Sequence, residues 1–320
     1  MTSEGQSHAA RPLDLVTLVS FDEEVRKNQA VTLDGLADAD QQKAHPLNAA
    51  LAQWLHLGRR MWINVVGREV RGIATARDLN AKSAWVIDTL IDAAGAETGD
   101  EVVTDLLGQA SASATKANVT HLLLRTLTNA LAREPATKAG FRPAFVERLW
   151  TGVPRNAPSA CEATVRPFVA SDESGVFQLY GQATPAQARA QLGMTREEWL
   201  ALRDRRWLRG GDELVAERDG AVTGLASFRV QDDRVQFDML VAPDGGPSVS
   251  ALLAAILEGN ESREVFALVP RSALAVEQVL SDVGLEPSSE YVQLSHRLAR
   301  PVLADAPRRV VMPIPTGGGV

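Results

Sequence analysis

Apolar and polar positions follow the same plan twice along the chain. Residues 62–77 hold an apolar, β-branched run, a turn at Gly67 and a second run containing Gly72-Ile73-Ala74. Residues 213–229 repeat this around Asp219-Gly220, with Gly224-Leu225-Ala226 in the second run. Two short apolar runs joined by a glycine turn predict a hairpin in each place. A third run follows each hairpin, at 85–91 and 235–241, and then a glycine-bearing turn. Helical periodicity comes next: Val102, Val103, Leu106 and Leu107 share one face, as do Val249, Leu252, Leu253 and Ile256. A short strand (121–125 or 265–269), a helix ending at Gly140-Phe141 or Gly284-Leu285, and a last strand (145–150 or 291–298) complete the plan. The stretches before the hairpins, 21–57 and 171–207, read as helical.

The repetition predicts two copies of one α/β unit, each a mixed, mostly antiparallel sheet flanked by helices. The first spans 12–150 and the second 163–300. A linker with Pro154 and Pro158 occupies 151–162, and 301–320, with four prolines, reads as an extended or disordered tail.

The 320 residues are 45% hydrophobic and 23% charged, which suits a globular protein and excludes a largely disordered one. Asp and Glu (40) outnumber Lys and Arg (33), so the net charge of −7 argues against nucleic acid as a partner. The single cysteine, Cys161, excludes an intrachain disulfide. The polar start and the lack of a long apolar run lead to the expectation of a cytoplasmic protein without a membrane partner. The five scattered histidines lack metal-ligand spacing, so no metal is expected.

The order of elements resembles the GNAT-type N-acetyltransferase superfamily, here in tandem. Its most specific piece is Asn129-x-x-Ala132-x-x-x-Ala136-x-x-x-Gly140-Phe141, where Ala136 stands in place of the superfamily's tyrosine. In the second copy Gly284-Leu285 remains and Leu280 takes the tyrosine's place. The resemblance implies acetyl-CoA or another acyl-CoA as co-substrate, and a small-molecule amine or a peptide as acceptor. It implies a monomer or a homodimer. The CoA diphosphate belongs at the turn from strand to helix, where main-chain N–H groups and the helix dipole attract anions.

That placement makes Ile91, Gly95 and Gly99 candidates in the first copy, and Leu240, Val241, Gly245, Gly246, Ser248 and Val249 in the second. Both turns depart from the superfamily pattern. Ala96 lies where the first copy needs its basic residue, and Glu97, Asp100 and Glu101 crowd that turn. Gly246 replaces the arginine in the second copy and Pro247 removes one N–H, but Asp244 is the only carboxylate there, so the second copy is favoured. Asp238 and Asp88, each in an apolar strand, are candidate general bases, since an amine must lose a proton before attacking a thioester. Tyr291 is a candidate proton donor, with strand packing as its plainer role. Arg203, Arg205, Arg206 and Arg209 read as a solvated helix face neutralised by Glu197, Glu198 and Asp204. An acyltransferase is the leading expectation. A catalytically inactive pair of domains that binds a small ligand or a protein is the alternative, and transfer from an aminoacyl-tRNA is a third.

Overall fold

The computed structural model describes residues 6–11, 14, 27–38, 59–67, 69–93, 100–158, 163–204 and 210–299. The first half runs β1 (Gln6–Ala9), β2 (Arg59–Val66), β3 (Glu69–Asp78), β4 (Ala84–Asp92), α1 (Glu101–Lys116), β5 (His121–Leu127), α2 (Arg133–Lys138) and β6 (Arg142–Gly152). The second half opens with β7 (Thr164–Pro167), α3 (Glu173–Ala183), α4 (Ala186–Leu192), α5 (Arg196–Leu202) and β8 (Gly211–Arg218). It continues through β9 (Ala221–Gln231), β10 (Arg234–Val241), α6 (Gly246–Leu257), β11 (Glu264–Pro270), α7 (Leu274–Asp282) and β12 (Glu286–Arg297). From β2 and from β8 onward, the two halves present the same elements in the same order.

The repeated glycines have one cause. A Cβ on Gly72 would lie 2.6 Å from Val102 Cγ1, and one on Gly224 would lie 2.8 Å from Leu252 Cδ1. Each glycine therefore lets α1 or α6 lie close against the hairpin's second strand. Gly140 and Gly284, at φ +98° and +90°, end α2 and α7 in the left-handed conformation that favours glycine.

The twelve strands among the described residues join one sheet in the order β1-β2-β3-β4-β5-β12-β6-β11-β10-β9-β8-β7. The β4–β5 and β10–β11 pairs are parallel, and every other pair is antiparallel. The closing strands exchange places. β6 pairs with β11 of the other half (Leu149↔Leu268), and β12 crosses to β5 (Gln293↔Arg125). The sequence reading had each copy closed by its own last strand; alternation identifies a buried strand but does not choose its neighbours.

The helices α1, α2, α6 and α7 cover one face of this sheet through two large apolar clusters. On the other face lie α3 and α5, packed through Val176, Tyr180 and Trp199, and the segment 31–36, packed through Val31 and Leu36. The helical expectation for 171–207 is met by three short helices, broken at Pro185 and Gly193. The expectation for 21–57 fails where it is described: 27–32 is non-helical, and Leu33–Asp38 is a single 3-10 stretch. The proposed tail and part of the linker lie outside the described residues.

Candidate active site

A parallel pair that splays apart leaves a cleft between two strands, and both halves contain such a pair. In the first half, β4 leaves β5 after Val86↔Leu123. In the second, β10 leaves β11 after Asp238↔Leu268. The two clefts differ in what fills them.

The first cleft is closed by the chain itself. Gln29 N–H donates to Leu90 O and Val31 N–H to Arg125 O, both at 2.8 Å, so this segment bridges the two parted strands. Asn28 locks the bridge. Its Oδ1 accepts from Ala30 N (3.0 Å) and Leu90 N (2.8 Å), while its Nδ2 donates to Asp88 O (3.0 Å). Gln29 Oε1 also accepts from Ala132 N at 2.7 Å. Ala30 is wholly buried in the same apolar cluster as Ala136.

The second cleft opens into a cavity of about 470 Å³. One side is the parted end of β10 (Met239 to Val241, then Ala242 and Pro243) with Pro270 and Ser272 to Val276 opposite. Ala242 N–H donates to Thr223 O of the β9 side. By strand alternation, the main chain of Val241 then points the other way, into the cleft. The cavity continues across the sheet to residues of the first half, among them Leu33, Val86, Leu123, Arg125, Phe145 and Glu147. Its roof is α3 to α5, through Tyr180, Leu192, Trp199 and Leu202. The roof is pinned to the first half: Asp204 holds the buried Arg77 at 2.6 Å, and Asn80 Nδ2 donates to Leu200 O at 2.8 Å.

Asp238 lies where the cleft begins. The register places Glu213, Ser227 and Asp238 in one row on this face. Asp238 lines the cavity, and its Oδ1 is buried without a hydrogen-bond partner. Burial pushes this carboxyl up to about 7, against a smaller opposing pull from Arg203. The surrounding charges are already paired. Arg203 binds Glu213, which also accepts from Ser227 Oγ at 3.2 Å, and Arg125 binds Glu147 at 2.6 Å. Asp238 is thus an unpaired carboxylic acid among neutralised neighbours.

The other expected residues fall in different places. The Asp88 carboxylate is bound by Arg59, accepts from Thr75 Oγ1 at 2.5 Å and faces Arg77 Nε at 3.9 Å. Tyr291 is 2% exposed, packed among Leu149, Phe266 and Leu268. Ile91 is core, and Gly95 and Gly99 lie outside the described residues. Leu240 and Val241 line the cavity. Val249 is core, and the buried Ser248 Oγ is 2.7 Å from Thr223 Oγ1. Gly245 precedes α6, where an added Cβ would meet Val241 Cγ1, whereas Gly246 opens on space.

That turn can hold an anion modestly. Val249 N–H is spent on Gly245 O and Pro247 has no N–H, so α6 offers the donors of Gly246 and Ser248. Asp244 stands beside them and is paired with Arg218 at 3.1 Å. Asp244 thus brings the Arg218 cation to this turn.

Sequence reasoning missed Arg125, Glu147, Glu213 and Tyr180. A charge set in an apolar strand was the available signal for the first three: Arg125 ends His121-Leu-Leu-Leu, and Glu147 interrupts Phe145–Trp150. Tyr180 gave none. Its hydroxyl donates to Gly193 O at 3.1 Å, and burial holds it up at about 12. The arginine cluster also divides differently from expectation. Arg203 lies half-buried over the rings of Phe168 and Trp199, and Asp204 binds Arg77. Arg205, Arg206 and Arg209 lie outside the described residues.

Among the described residues no group of His, Cys, Asp or Glu could hold a metal, and no helix is long and apolar enough to cross a membrane. No family model and no curated protein matches the chain. Solved structures do. A GCN5-related N-acetyltransferase from Sphaerobacter thermophilus aligns with a TM-score of 0.50 and 16% identity, over 92% of this chain and 95% of that one. A putative acetyltransferase from Pyrococcus horikoshii aligns with a TM-score of 0.50 and 11% identity, over 93% and 91%. A GCN5-related N-acetyltransferase from Anabaena variabilis gives 0.50 and 13%, over 91% of this chain and 72% of that one. Likeness at these identities concerns the fold: this chain is built on the fold of the GCN5-related N-acetyltransferases.

Proposed function

We propose that the protein is an acyltransferase that moves an acetyl or other short acyl group from acyl-CoA to an amine, and that the reaction takes place in the second half's cleft. One observation carries the reading. The cleft that is open holds a carboxyl whose Oδ1 is buried without a partner, whereas the cleft bridged by residues 28–31 holds a carboxylate tied to two arginines.

The chemistry follows from this placement. An aliphatic amine is protonated at neutral pH, with a pKa of about 10. Asp238, held near 7, accepts that proton as an effective base at neutral pH. The freed nitrogen attacks the thioester carbon, the C–N bond forms, the C–S bond breaks, and the CoA sulfur leaves and takes up a proton. The Val241 main chain lies along the pantetheine path, and Gly246, Ser248 and Arg218 face the diphosphate.

Acetyl-CoA tests the reading directly. At about 100 times its dissociation constant it should stabilise the chain by roughly 2.7 kcal/mol, seen as a raised melting midpoint. CoA thiol should then appear when amines are supplied. Asp238→Asn should keep the midpoint shift and lose the thiol release. No midpoint shift at millimolar acetyl-CoA would overturn the proposal and leave a ligand-binding protein without transfer.

A further inference from the structure

The cavity has a second polar feature, and the first half supplies it. Arg125 sits on β5, where its register partner is Gln293 on β12. It reaches across β12 to Glu147 on β6 through Nε (2.6 Å) and Nη2 (3.3 Å). Those bonds occupy one edge of the guanidinium. The side chain is 12% exposed and lines the cavity, so Nη1 is the donor left to face it. We infer that Arg125, carried by the half whose own cleft is closed, recognises the acceptor, and that this acceptor is an apolar amine bearing a carboxylate or carbonyl oxygen bound by Arg125 Nη1.

This inference rests on the acyltransferase reading and adds the acceptor's class to it. Arginine donates and never accepts, so its partner is an oxygen acceptor. It does not serve the CoA diphosphate, whose turn lies past the far end of β10. Two strand spacings, about 10 Å, separate β10, which carries Asp238, from β6, which carries Glu147. The extended Arg125 side chain shortens that gap, so one small molecule reaches both polar ends. Between them the walls are apolar and aromatic: Leu123, Phe145, Tyr180 and Trp199. Glu147 cancels the guanidinium charge, so a neutral carbonyl and a carboxylate remain distinct candidates for the oxygen.

Three probes built on the same phenylethylamine unit separate these possibilities: L-phenylalanine, L-phenylalaninamide and phenethylamine, which lacks the carboxyl carbon. Binding of each to the full chain is measured by calorimetry, alongside acetyl-CoA binding and CoA thiol release. At least one oxygen-bearing probe should bind about tenfold or more tighter than phenethylamine. A tighter amino acid identifies a carboxylate, and a tighter amide identifies a carbonyl. Arg125→Lys keeps a cation for Glu147 but loses the two-edged fork, so the ratio should fall toward one. Should that variant fold poorly, Arg125→Met combined with Glu147→Gln removes both charges together and should also erase the ratio. The inference fails if phenethylamine binds as well as the others, if no probe binds, or if the preference survives in both variants. Such failure with acetyl-CoA binding intact leaves the acyltransferase reading standing. Absent acetyl-CoA binding removes that reading, while the probe ratio still judges Arg125.

Discussion

The two clefts began from the same plan and reached opposite states. Each has a parallel pair that parts, a strand aspartate near the parting and a helix beyond it. In the first, Asn28 and its neighbours satisfy the main chain on both sides, and Asp88 is buried in ion pairs. In the second, the space stays open and the half-buried Asp238 keeps its Oδ1 out of solvent without a partner. An open cleft with an unpaired acid costs stability, which a purely structural half has no reason to bear. On the proposed reading, the second half carries the chemistry and the first is scaffolding that still lends Arg125 and Glu147 to the shared cavity.

The largest effect should come from exchanging each aspartate for asparagine. Asp238→Asn should lower acyl transfer by about 10²- to 10⁴-fold, the usual contribution of a general base, and leave the fold intact. Asp88→Asn should do the reverse. It breaks the Arg59 pair and weakens the Thr75 hydrogen bond, while Arg77 keeps Asp204, at a cost of about 1 to 3 kcal/mol, and turnover per folded molecule holds. Denaturant midpoints and steady-state rates on the same two variants read both outcomes. Equal loss of activity would erase the distinction between the halves.

Next in size is a dependence on pH. Burial raises Asp238 from the ordinary 3.8 to about 7, so the folded chain keeps a proton that the unfolded chain releases. Its contribution to stability is present below about pH 4 and is lost as pH rises toward 7. Asp238→Asn lacks this loss, so its stability relative to the wild type should climb from pH 5 to pH 8 by a few kcal/mol. Urea melts across that range check it, and parallel profiles would place the carboxyl in a wetter site.

The bridge in the first cleft offers a smaller test. Asn28→Ala deletes three hydrogen bonds, two to β4 and one within residues 28–30, at about 1 kcal/mol each. A melting midpoint lower by several degrees is expected. Calorimetry should find one acetyl-CoA per chain in the wild type, and a stoichiometry of two would show that the bridge does not exclude ligand.

Much of the fold was legible because its signals are local. The hairpins, the helix faces and the paired glycines follow from periodicity and from close packing at Gly72 and Gly224. Asp238 was legible as a charge in an apolar strand. The strand exchange was not, because β6 and β12 look alike and only distant pairing decides where each one goes. Nor was the bridge. Asn28 reads as an ordinary polar residue until β4 and β5 part around it, and the stretch holding it was read as helical. Asp88 and Asp238 looked equivalent for the same reason: Arg59 and Thr75 reach Asp88 only across neighbouring strands.

The smallest effect concerns the turn before α6. Asp244 is 77% exposed and holds Arg218 at 3.1 Å beside the two N–H donors of the helix start. A diphosphate there meets one unhelpful carboxylate and one cation already engaged. Asp244→Asn removes the repulsion and releases Arg218, so the KM for acetyl-CoA should fall by roughly two- to fivefold, with kcat unchanged. Because the site is solvated, the gain should shrink as salt rises from 50 to 500 mM. Asp100 sits at the matching helix start in the first half, paired with Lys138 at 2.7 Å. Asp100→Asn should leave KM untouched, because the cleft beside it is bridged. A lowered KM in the second variant and not in the first would move the diphosphate, and with it the reaction, to the other half.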